Sequence, residues 1–347
     1  MIWRGFFSLA CPSPFTHSFL PMRRLSLGLF LSVLLLACGV APSVADDPPA
    51  PFSDERARFS VQVGDVTIPY RVMGLFVMPG ERVALGARAN AFSTISTSAR
   101  FTMDAPHGTL RPTSPRTWRW TAPNVPGLYP LTVTDAADGE RIQLNVFVMT
   151  PYDHRARRIG AFRIGHYRRK PLRDNPIYER PEGFIRLTKT NRTARVSPHF
   201  TLEQFACKQT NNYPQYLLLR EELLLKLEAL LQAVNEHGVA ANTLHVMSGF
   251  RTPHYNRAIG NRTDYSRHLY GGAADVFVDA DGDGVMDDVT GDGAATRADA
   301  QWLARRVESL QHRSDAPPEI GGLGVYGPAP HRGPFVHVDA RGHRARW

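Results

Sequence analysis

The chain has 347 residues, 43% hydrophobic and 21% charged, which excludes a disordered polymer and leaves room for two domains of ordinary size. Lys and Arg total 41 against 32 Asp and Glu, a formal net charge of +9. No helix carries a basic stripe and no nucleic-acid motif is present, so the excess points away from nucleic acid and towards an anionic cell wall, anionic lipid or an ordinary solvated surface.

Met22-Arg23-Arg24 followed by the apolar run 25–40 reads as the charged and apolar parts of an export signal, too short for a comfortable membrane span. Met22 is the expected true start, and residues 1–45 the signal segment of a protein bound for the periplasm or cell envelope. Ser43-Val44-Ala45 before Asp46 suits a signal-peptidase cut and soluble release. Leu35-Leu36-Ala37-Cys38 resembles a lipobox, which would put a lipid on Cys38 and anchor the protein to the membrane; the large Leu36 favours release. After a cut at Ala45, only Cys207 of the three cysteines remains, so no internal disulfide is available. In Phe205-Ala206-Cys207 that thiol reads as a small buried hydrophobe.

A Pro- and Asp-rich tether, 46–55, leads into residues 56–150, where short alternating runs begin. Phe59-Ser60-Val61-Gln62-Val63, Thr67-Ile68-Pro69-Tyr70-Arg71-Val72 and Leu144-Asn145-Val146-Phe147-Val148 are separated by turn signals such as Met78-Pro79-Gly80 and Val125-Pro126-Gly127. Period-two runs at this spacing predict an all-β sandwich, and Trp118-Arg119-Trp120 with Pro126-Gly127-Leu128-Tyr129 resemble late strands of immunoglobulin-like domains. No catalytic cluster falls here, so the region reads as a spacer or wall-facing binding module. Residues 151–196 show little periodicity and carry Arg155, Arg157, Arg158, Arg168, Arg169, Lys170 and Arg173, which predicts a basic linker, either solvated or touching anionic polymer.

A second domain is expected over 197–347. Thr201 and Gln204 form a capping box. A leucine-rich helix is predicted over 214–237, ended by Gly238. Leu244-His245-Val246-Met247 reads as a buried strand that delivers the turn Ser248-Gly249-Phe250-Arg251. His268 and Asp275 stand seven apart across Leu269-Tyr270-Gly271-Gly272-Ala273-Ala274, whose glycines permit a sharp entry into a strand at 273–279. A further strand, 333–339, places His337 and Asp339 on one face. Two His and one carboxylate are the donor set of a catalytic zinc site with one position left open. From spacing alone, a hydrogen-bonded loop His and a turn Asp is the plain alternative.

The ordered set Ser248-Gly249-Phe250-Arg251, Ser266-Arg267-His268, Gly272-Ala273-Ala274-Asp275 and Phe335-Val336-His337-Val338-Asp339 resembles the zinc D-alanyl-D-alanine carboxypeptidase and murein endopeptidase family, which shares the hedgehog fold. The resemblance covers roughly 197–347 and implies an α+β domain with an antiparallel sheet floored by helices. It implies zinc on His268, Asp275 and His337, with Arg251 steadying a substrate carbonyl or carboxylate and Ser266 helping to bind substrate. Many relatives carry a carboxylate three residues before the last ligand, where this chain has Pro334. Asp339 is the substitute candidate, either as general base or as a partner orienting a ligand, with His331 behind it.

Between the ligands lies an acidic loop, 279–299. Asp279, Asp281, Asp283, Gly284 and Asp287 fit an EF-hand register that lacks its closing carboxylate. Asp288, Thr290, Asp292, Gly293, Thr296 and Asp299 fit a second register that has one, with a helix following over 300–310. The expected ligand is a structural calcium ion, against a solvated acidic turn. The combined expectation is a zinc peptidase that cuts D-amino-acid bonds in peptidoglycan stem peptides. A non-catalytic peptidoglycan-binding module, or a calcium-dependent scaffold, stands against it. Carboxypeptidase versus endopeptidase action and the oligomeric state stay open.

Overall fold

The structure is a computed structural model that describes residues 52–89, 100–313 and 321–347. The expected signal segment, its cleavage site and Cys38 lie outside the described residues. Strands β1 (Arg56–Val63), β2 (Val66–Tyr70), β3 (Val72–Val77), β4 (Arg82–Ala89), β5 (Phe101–Asp104), β6 (Thr109–Ser114), β7 (Thr117–Thr121), β8 (Gly127–Asp135) and β9 (Arg141–Val148) form two sheets. One runs β2-β1-β4-β7-β6, all antiparallel; the other runs β3-β9-β8-β5, with β3 and β9 parallel. Alternation sets the inner faces: β4 buries Val83, Leu85 and Ala87, and β7 buries Trp118 and Trp120. Phe59 of one sheet meets Phe101 of the other at 5.1 Å between ring centroids.

From Leu144 to Val148 the alternation stops and every residue is buried. Both faces of this strand end are covered. Asn145 Nδ2 donates to the Arg195 carbonyl at 2.8 Å, and Gly74 on the neighbouring strand sits so close to Val196 that a Cβ there would lie 3.2 Å from its carbonyl oxygen. The described residues thus pack as one unit.

The segment 151–196, expected as a linker, is part of that packing. It carries β10 (Thr150–Pro151), β11 (Arg158–Ile159), β12 (Phe162–Arg163), β13 (Gly183–Leu187) and the start of β14 (Arg195–Ser197). Its expected cations are exposed, but Tyr152, Phe162, Tyr167, Tyr178 and Phe184 are buried between them. The Tyr167 hydroxyl donates to the Leu269 carbonyl at 2.8 Å, one residue from His268. Apolar rings scattered without a period bury one by one and leave no amphipathic pattern to read.

The C-terminal α+β region opens with β15 (Phe200–Thr201) and β16 (Gln215–Leu217), then α1 (Glu221–Glu236) and β17 (His245–Ser248). The Thr201 N–H donates to the Gln204 side chain at 2.7 Å, as the capping box requires. After α2 (Pro253–Ala258) come β18 (Ala273–Phe277), α3 (Arg297–Ser309), β19 (Gly322–Tyr326), β20 (Phe335–Asp339) and β21 (Ala345–Arg346). The sheet order is β17-β18-β20-β19-β21, antiparallel except for β19 with β21. Helix α3 packs on β19 and β20 and touches α1. The helix expected from 214 begins only at Glu221, because Gln215–Leu217 pair with β13 instead. Buried positions run unbroken from Leu223 to Leu231, so the leucines do face several sides.

Glu221 ties α1 to the N-terminal sheets: its Oε1 accepts from the Phe76 N–H at 3.1 Å. Burial, with the neighbouring Glu222 charge, pushes its carboxyl up from 4.5 to about 7. The folded state therefore holds a proton that the unfolded state has lost, and stability falls as pH rises from about 4.5 to about 7. Glu221→Gln removes this titration, so its melting temperature should gain on wild type between pH 5 and pH 8. A constant difference across that range would show that Glu221 does not carry the effect.

Candidate metal centre

Three short devices bring the ligands together. Strand β17 pairs with β18, and the chain then turns at Gly249, where a Cβ would lie 2.7 Å from the Phe205 Cα. A 3-10 turn, Arg267–Tyr270, presents His268 and is ended by Gly271 in the left-handed region at φ 68. A side chain at Gly271 would also meet the Leu218 carbonyl carbon at 2.5 Å, so only glycine fits. Asp275 on β18 and His337 on β20 are direct register partners. Their side chains share one face with the His268 ring.

His268, Asp275 and His337 are all buried. His268 Nε2 lies 3.1 Å from His337 Nδ1 and 3.2 Å from Asp275 Oδ1, and His337 Nδ1 lies 2.9 Å from the same oxygen. The outer nitrogens decide the protonation. His268 Nδ1 is 2.7 Å from the Gly249 carbonyl, which only accepts, so that nitrogen carries the hydrogen. His337 Nε2 is 3.1 Å from Asp339 Oδ2, a carboxylate held well below the usual range against burial by His337 and Arg341. In the neutral rings the inner nitrogens are then lone pairs turned towards each other and a carboxylate oxygen.

Without an ion, a proton on His337 Nδ1 bridges to Asp275; a cation would replace that proton and join all three acceptors at once. A tetrahedral zinc ion with ligands at its usual lengths sets its donors about 3.3 Å apart, close to the three separations seen here. The donor set and its spacing fit zinc. Without an ion, burial pushes His268 down, while in His337 the Asp275 and Asp339 carboxylates outweigh burial and push it up. Burial opposes charge on Asp275 too, but the two imidazoles hold its carboxyl well below the ordinary range.

The surroundings of two supporting residues go beyond what the sequence shows. Asp339, a candidate base, is fully buried and sits at the outer nitrogen of His337, on the side away from the three converging atoms. Its Oδ1 accepts from the Gly322 N–H at 2.8 Å, and both its oxygens accept from Arg341 Nε at 2.9 Å. Its oxygens are thus engaged on the side away from the three converging atoms, the placement of a group that orients a ligand. Arg251, expected to face substrate, donates through Nη2 to Asp275 and through Nε to Ser248 Oγ at 2.7 Å. Ser266 precedes the His268 turn and is half-buried, Pro334 is buried, and His331 is exposed on the turn between Ala329 and Arg332. Arg341 went unread in the sequence because nothing about a basic residue just past a strand marks it as a carboxylate partner.

The acidic loop gathers into two carboxylate groups, Asp279 with Asp281 and Asp283, and Asp288 with Asp292 and Asp299. Asp287 lies outside both: its Oδ2 accepts from the Ala280 N–H at 2.8 Å. Asp299 is fully buried and doubles as the helix cap, accepting from Thr296 N at 2.7 Å and Thr290 N at 3.0 Å. His245 Nδ1 lies 2.9 Å from Asp279 Oδ2, while Asp279 Oδ1 is buried without a hydrogen-bond partner among the described residues.

Asp339→Asn tests the orienting role. A neutral amide cannot serve the His337 ring, the Gly322 N–H and Arg341 at once. Zinc affinity, read by chelator competition, should fall about 10- to 100-fold with the fold intact. Unchanged affinity would remove Asp339 from the site's support.

No curated protein matches the chain. Over residues 198–287, which carry Arg251, Ser266, His268 and Asp275, the chain matches the family model of Peptidase M15, the zinc D-Ala-D-Ala carboxypeptidase-type family that its motifs resemble.

Proposed function

We propose that the C-terminal region is a zinc peptidase that hydrolyses D-amino-acid peptide bonds of peptidoglycan, as a carboxypeptidase or a murein endopeptidase. The observation that carries this reading is the convergence of two inner imidazole nitrogens and one carboxylate oxygen. His268, Asp275 and His337 would hold the ion, and a bound zinc supplies Lewis acidity at its open position. Gly249 and Asp339 keep both rings in the ligating tautomer. Arg251 holds Asp275 and keeps its remaining N–H groups for a substrate carbonyl or carboxylate. Ser266 at the lip of the His268 turn is the second substrate contact.

One observation favours the alternative of a wall-binding module without catalysis. Pro334 holds the place of the usual carboxylate, and Asp339 is turned to the far side of His337. Proton transfer then falls to His331 or to another group, or is lost. The two-sheet region of 56–150 serves in this reading as an immunoglobulin-like spacer, and 1–45 as the export signal to the cell envelope, with release favoured over a lipid on Cys38. Residues 197–347 are the zinc domain, joined to the sandwich through 151–196.

Purified muropeptides followed by mass spectrometry decide between the two. Loss of a terminal D-Ala or of a crosslink supports the peptidase, and His268→Ala, Asp275→Ala and His337→Ala should each abolish both zinc and cleavage. Retention of muropeptide with zinc bound but no cleavage supports the module. Full zinc occupancy in all three variants would overturn the metal assignment itself.

We also propose calcium on the acidic loop, with Asp279, Asp281, Asp283 and Asp287 in one turn and Asp288, Asp292 and Asp299 in the next. Hard carboxylate oxygens around glycine turns suit this ion, and the buried unpartnered Asp279 oxygen supports it. Calcium should raise the melting temperature of the full chain, and Asp292→Ala should weaken the rise. A melt indifferent to calcium would leave a solvated acidic turn.

A further inference from the structure

Trp347 is the one aromatic among the exposed large hydrophobic residues of the described chain, at 49% exposure. It is nonetheless held in place. Its N–H donates to the Leu323 carbonyl, its carbonyl accepts from Val325, and its indole N–H donates to the Tyr326 hydroxyl at 2.6 Å. Its ring lies 5.1 Å from the His337 ring, and the Arg341 guanidinium sits over it, also at 5.1 Å. Gly324 makes the room: a Cβ there would meet the indole nitrogen at 2.5 Å, and Gly324 is the register partner of His337. A missing side chain on β19 therefore seats an indole beside a metal ligand, one side against the strand and much of the ring open.

An anchored aromatic surface left bare next to the ligands is built to receive something apolar. Distance selects what. One residue of extended chain spans roughly 3.3–3.6 Å, so a ring centred 5.1 Å from the His337 ring lies within about two residues of a bond cut at the metal, in reach of a side chain flanking that bond and not of a sugar several residues away. We propose that Trp347 is a substrate-positioning residue whose indole receives the aliphatic side chain of the peptide residue next to the scissile bond. This rests on the peptidase reading above.

The test uses the full-length zinc protein with N-acetylated L-Lys-D-Ala-D-Ala and the two analogues in which one alanine is replaced by glycine. Trp347→Ala should raise KM for the alanine peptide roughly three- to tenfold, the scale of a few lost methylene contacts, with kcat nearly unchanged. The KM loss should shrink for the glycine analogue that lacks the flanking methyl. Trp347→Phe should keep most of the affinity, and Gly324→Ala, which displaces the indole, should behave like Trp347→Ala. Trp118, Trp120 and Trp302 are buried, so in zinc-free protein the alanine peptide should shift tryptophan emission, and Trp347→Phe should lose the shift. Equal KM in wild type and Trp347→Ala, or equal losses on alanine and glycine peptides, would overturn the inference while cleavage upheld the peptidase. Neither cleavage nor an emission change with any of these peptides, with crosslinked muropeptides also left uncut, would overturn both.

Discussion

The site depends on a single constraint: to hold a cation, two buried imidazoles must point bare nitrogens at one carboxylate oxygen. Each ring has two nitrogens, and a neutral ring carries one hydrogen. The protein settles where that hydrogen goes from outside, with a backbone carbonyl behind His268 and a carboxylate behind His337. Change either outer partner and the inner lone pair becomes an N–H, which repels a cation. The ligand set is therefore at least five groups, and two of them belong to Gly249 and Asp339.

Sheet geometry carries the same constraint further. Asp275 and His337 meet because β18 and β20 pair in register, and a slip by one residue would turn both side chains to the opposite face. Gly249 and Gly271 then let backbone pass within contact distance of Phe205 and Leu218, which brings the His268 turn down onto the sheet. Tyr167 fastens that turn from the other side through the Leu269 carbonyl. The segment 151–196 thus bears on the metal centre although it contributes no ligand.

The alternating strands were legible because each leaves a local pattern, and the three converging side chains because they sit in an ordered set of motifs. Alternation marks β1 and β7, and glycines between His268 and Asp275 mark a tight turn. What was illegible is non-local. Leu217 looks helical beside Leu218, yet it pairs with Ile185, more than thirty residues upstream. Asp339 shares a strand face with His337, which the period of two does predict, but that period cannot say which imidazole nitrogen it meets. Arg251 was read as facing substrate, and its reach to Asp275 depends on a turn whose path only the folded chain defines.

Charge around the centre follows a repeated plan. Asp275 is shared between imidazoles and Arg251; Asp339 is shared between an imidazole and Arg341. Two buried carboxylates face two guanidiniums, so their formal charges cancel and neither acid is left as an uncompensated buried charge. That balance has a consequence for ligands. A divalent cation on His268, Asp275 and His337 would add charge that no further carboxylate in contact with the three ligands offsets among the described residues. The field at the open position would then favour an electron-rich oxygen, a peptide carbonyl or a terminal carboxylate. The indole of Trp347 lies beside His337, so a peptide drawn in by its oxygen meets an apolar surface within about two residues' length.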